Sequence, residues 1–214
     1  FLCARLAMDA RRDGNEKQVF MHCFLAGQAA LGLLTYTRAV EYLAFAAKLN
    51  EQHKLEIPPK DFLGFCDAYG TALLESGSGE DAIKYMDMGV GAASDRLELA
   101  RFFYLRIRAF ASTGRFNESW LVYLDALEVL GFTWPRYMWS QFLAISWLMP
   151  FYYICAHLGL FKDRLLRKGR EKDREFAIAM LGIYEEGGFI TFFQAQFFEN
   201  LLICFRMLWL DHVA

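Results

Sequence analysis

The stretch YGTALLESGSGEDAIKYMDMG, Tyr69 to Gly89, sets small residues at Gly70, Ala82 and Gly89 around a break at Gly77, Ser78 and Gly79. In a hairpin of two helices, a small residue midway along the first helix can face a small residue near the start of the second. The axes then approach closely, because no branched Cβ or large side chain holds them apart. The same relation recurs on either side. FLAGQAALGLLTYTRAVEYLAFAAKL places Gly27 and Ala39 in it, followed by Leu43 and Ala46. YLRIRAFASTGRFNESWLVYLDALEVLG places Ile107 and Ser119 there, followed by Tyr123 and Ala126. Ala39 and Ala82 stand 43 residues apart, and Ala82 and Ser119 stand 37 apart. The spacing predicts three helical hairpins, at 16–53, 60–93 and 95–131, packed in sequence.

Outward from these units the pattern stays helical. Breaks fall near Gly14 and Thr35, at EIPPK (56–60), near Ser94 and Asp95, and at TGR (113–115) and GFTWP (131–135). Almost no alternating strand pattern lies between them. With 214 residues, 56% of them hydrophobic, the chain can build a continuous core. The expected fold is all-α, a right-handed solenoid of antiparallel hairpins over 1–136. A hydrophobic, aromatic-rich helical extension over 137–214 would continue the array. A start at Phe1 and an end in CFRMLWLDHVA suggest a segment of a longer chain.

The repeats resemble tetratricopeptide units. The run RLELARFFYLRIRAFASTGRFNESWLVYLDALEVLGFTWP is similar to the helical arrays that follow the ATPase core in large signalling ATPases, relatives of the maltose-regulon activator among them. The resemblance spans roughly residues 15 to 136. It implies a sensor or scaffold arm whose ATPase residues would lie elsewhere.

Composition excludes several functions. The formal charge is -2, with 23 Lys and Arg against 25 Asp and Glu, which leaves no cationic footprint for nucleic acid. Cys3, Cys23, Cys66, Cys155 and Cys204 form no CxxC pair, so buried thiols in a reducing, cytoplasmic setting are expected. His22, His53, His157 and His212 lack HExxH spacing, and no metal or cofactor is expected. SGSGEDA lacks the lysine of a phosphate loop, and no nucleophile elbow is present, so no catalysis is expected. Glu185 and Glu186 before Gly187 and Gly188 suggest a helix end.

Binding of a protein or peptide is the expected role. In tetratricopeptide-like repeats the first helices line a concave groove, which nominates Phe24 and Gln28, Asp67 and Thr71, and Tyr104 with Arg108. Arg101 shares the face of Tyr104 and Arg108. Two guanidiniums around an aromatic ring suit an acidic peptide or a phosphate. The competing picture is a solvated face with the arginines paired to Glu98 or Asp95.

Two other classes remain. FITFFQAQFFENLLICFRMLW could build the aromatic pocket of a ligand-sensing domain. FLAISWLMPFYYICAHLGLF, 142–161, carries no Asp, Glu, Lys or Arg and precedes a basic run, which suits a membrane-associated chain. Pro150 interrupts it, so the expectation is a broken pair of helices, covered by helices at 171–186 and 189–213, with any membrane contact peripheral.

Overall fold

The computed structural model describes residues 15–135, 137–157 and 171–211. Among them every regular element is a helix. The chain divides into two compact units after Ala93, so the compositional shift at 136 falls inside the second.

The first unit holds α1 (Glu16–Gly32), α2 (Tyr36–His53), α3 (Pro59–Glu75) and α4 (Gly79–Ala92). Local chemistry sets the starts. The Asn15 side chain accepts from the Gln18 amide at 3.2 Å, and Pro59 occupies the first turn of α3, where its missing N–H costs nothing. α1 packs on α2 and α3 on α4, while α3 also touches both helices of the first pair. A Cβ built on Gly27 would overlap the Leu43 side chain, and one on Gly70 would overlap the end of Met86. Ala39, Ala82 and Gly89 are buried on the second helices of these pairs.

The second unit holds α5 (Arg96–Ser112), α6 (Phe116–Val129), α7 (Met138–His157), α8 (Glu171–Phe193) and α9 (Phe197–Asp211). Asp95 and Glu98 form a reciprocal capping box at the start of α5. Ile107 takes the place of glycine in the α5–α6 hairpin, and the buried Ser119 hydroxyl donates to its carbonyl at 2.8 Å. Ala126 is fully buried on the same helix.

The turn geometry shows a fourth hairpin that spacing alone did not reveal. Each of α1–α2, α3–α4, α5–α6 and α8–α9 is joined by three residues. Each first helix closes with an amide reaching back five residues: Thr35 to Ala30, Ser78 to Leu73, Arg115 to Phe110 and Gln196 to Thr191, at 2.8–3.0 Å. The residue before that amide is left-handed every time: Leu34, Gly77, Gly114 and Ala195. In α8–α9 the Asn200 side chain donates to the Gly188 carbonyl at 2.9 Å, across the same twelve residues that separate Ser119 from Ile107.

Two helical expectations are corrected. α8 runs through Gly187 and Gly188 without stopping. Both glycines are occupied sites: a Cβ on Gly187 would sit 2.5 Å from the Tyr123 ring, and one on Gly188 would meet Ile203 at 3.6 Å. α7 is one helix with Pro150 inside it, not a broken pair. Proline frees the Ser146 carbonyl, and Ser146 and Pro150 are both exposed, so water can satisfy it. Nor is α7 covered all round. α5 and α6 pack on α8, α8 pairs with α9, and α7 touches α9, with Gln141 and Ile145 the buried residues among those described on α7. Residues 158–161, at the end of the apolar stretch, lie outside the described residues.

Candidate functional site

In the first unit, Gln28 is exposed and Asp67 and Thr71 are half-buried on the first helices of their hairpins. Phe24 is core and not a groove residue. Its ring lies 6.4 Å from Phe20 and 6.2 Å from Phe65, above the space that Gly64 leaves. Burial also pushes the Cys23 thiol up to about 11 and the Cys66 thiol up to about 12, which makes both poor nucleophiles.

In the second unit Arg101 is exposed, whereas Tyr104 and Arg108 face α8. A Cβ on Gly182 would come within 3.2 Å of the Tyr104 ring, so α8 lies against that face. Arg108 donates to the Tyr104 oxygen and stands near Glu186. Burial raises the Glu186 carboxyl; Arg108 opposes the rise and Glu185 adds to it. The Tyr104–Arg108 pair is thus bound up in the α5–α8 contact. Glu98, one alternative partner for the arginines, caps the helix start by accepting from the Ser94 amide.

Beyond the nominated residues, the second unit opens a cleft of about 590 Å³. It lies between α6, the 131–135 linker and the first turns of α7 and α9. Trp120, Phe132 and Trp134 form its apolar walls, with Glu128, Gln141 and Glu199 among its polar lining. The Trp120 and Trp134 rings cross at 83° with centroids 5.6 Å apart. Arg206 donates to the Thr133 carbonyl of the linker at 2.6 Å, and Arg96 donates to the Leu130 carbonyl at the end of α6. In sequence, GFTWP read only as a break. Of the phenylalanine-rich stretch, Phe192, Phe193 and Phe197 are exposed, and Phe193 stacks on Phe116 with centroids 5.5 Å apart.

A second feature is the surface of α7. Trp139, Phe142, Leu143, Trp147, Met149 and Tyr153 are all exposed, Trp147 to 74%. By length and composition, one helix among the described residues could cross a membrane, over Arg174–Phe193 in α8, and 39% of that stretch is buried. Among the described residues no group of three His, Cys, Asp or Glu is placed to hold a metal.

Compared with known proteins, the chain matches no family model, no curated protein and no solved structure.

Proposed function

We propose that the chain is a tetratricopeptide-like helical-repeat module that binds a protein or peptide and serves a larger signalling protein as a scaffold or sensor arm, without catalysis of its own. The observation that carries this is the recurrence of one hairpin. Four helix pairs share the same three-residue turn, and two of them share a side-chain bond across twelve residues. Such repeats stack into right-handed solenoids whose first helices line a groove. α7 would be an insertion between the third and fourth hairpins, consistent with α5 and α6 packing directly on α8.

The test is site-specific photocrosslinking in cells. A photoreactive residue at Gln28 or Thr71, on first helices, is expected to capture one and the same partner, and one at Glu41, exposed on a second helix, is not. Equal capture from all three sites, or none from Gln28 and Thr71, overturns the groove.

The exposed apolar face of α7 favours a second reading, in which the module also rests peripherally on a membrane, on the cytoplasmic side.

A further inference from the structure

We infer, resting on the peripheral-membrane reading above, that α7 selects strongly curved lipid surfaces: it docks on a convex monolayer, drawn by gaps between the headgroups and not by their charge. Residues 138–157 hold no Asp, Glu, Lys or Arg, so the helix has no cation of its own to hold it on an anionic surface. Attachment of α7 then depends on entry of Trp139, Phe142, Leu143, Trp147, Met149 and Tyr153, all large and all exposed.

Pro150 limits how deep these side chains go. It has no N–H for the Ser146 carbonyl, and Ser146 and Pro150 are both exposed. A backbone carbonyl without a donor is costly in hydrocarbon, whereas water satisfies it at the level of the headgroups. His157, exposed at the far end with its ring 4.2 Å from that of Tyr153, belongs at the same wet level. Contact with α9 keeps α7 on the second unit, so the helix enters one leaflet and does not cross. Bulky side chains that stop at headgroup depth need space between headgroups, and they spread the outer part of the leaflet that they enter. A convex surface, whose headgroups already stand apart, meets both conditions.

The test is flotation of the full chain with phosphatidylcholine vesicles at equal lipid area, one set small and sonicated, the other large and extruded, with a parallel pair containing phosphatidylserine. Phosphatidylcholine carries no net charge, so the basic run at 162–174 gains nothing on it and that pair reads α7 alone. A several-fold larger fraction of the chain is expected to float with the small phosphatidylcholine vesicles than with the large ones. Pro150→Ala supplies the missing N–H, lets α7 settle deeper and is expected to narrow that difference by raising binding to the large vesicles. Circular dichroism reports that the variant is folded. Equal flotation of the parent with both sizes overturns the selection of curvature and leaves the membrane contact standing. Flotation that requires phosphatidylserine, or a folded Pro150→Ala chain that keeps the whole size preference, overturns it as well. Flotation with none of the vesicles removes the membrane contact itself, and curvature selection with it.

Discussion

Gly70 and Ala82 hold the second hairpin together because neither has a side chain to spare. The end of Met86 occupies the space above Gly70, and Ala82 is fully buried on the facing helix. Replacing Ala82 by leucine adds three carbons where no cavity waits, which should cost about 1–3 kcal/mol through overpacking. Thermal melts of the variant should show a lowered midpoint, and an unchanged one would place Ala82 on a yielding surface. At this scale, legibility depended on chemistry. Gly27–Ala39 and Gly70–Ala82 could be read because smallness is visible in a sequence. Gly188–Asn200 could not, because asparagine is not small. It closes the helix pair by donating to the Gly188 carbonyl and to Thr191, and that directional bond has no signature within a phenylalanine-rich run.

Helices α7 and α8 are where local propensity loses to packing. Glycine costs a helix interior about 1 kcal/mol relative to alanine, so a Gly187–Gly188 pair reads as a stop. Here the Tyr123 ring fills the space that Gly187 provides, and contacts with α5, α6 and α9 offset the local loss. The continuation of α8 also buries Glu186 against α5. Its carboxyl is raised chiefly by burial, so desolvation outweighs the attraction of Arg108. The folded state therefore binds this proton more tightly than the unfolded chain. The stabilising contribution is fully present below the ordinary carboxylate range and is lost as pH rises through the raised value. Glu186→Gln, which cannot ionise, is expected to raise the melting midpoint at neutral pH, by a margin that shrinks as pH falls through the carboxylate range. A variant that melts lower at neutral pH would mean that the pairing with Arg108 outweighs the burial.

At the scale of the whole molecule, the question is what α7 faces. Both units have cores of their own, and α8, the helix whose composition suits a membrane, is engaged by α5, α6 and α9. Among the described helices α7 is engaged by α9, and most of its exposed side chains are large and apolar with no Asp, Glu, Lys or Arg among residues 138–157. Rims of protein–protein interfaces are polar, whereas this surface remains uncharged along a helix of 20 residues. Tryptophan and tyrosine favour the water–lipid boundary, where a ring can be apolar on one side and bonded on the other. Contact with α9 meanwhile ties α7 to the second unit, which opposes full insertion of the helix by itself. The chain is therefore expected to sediment with zwitterionic lipid vesicles and to be released by alkaline carbonate. Trp147→Ser should weaken the partition roughly tenfold, the scale of losing one large apolar side chain from the interface. Retention after carbonate would make α7 a spanning helix, and failure to sediment at all would return its apolar face to a protein partner.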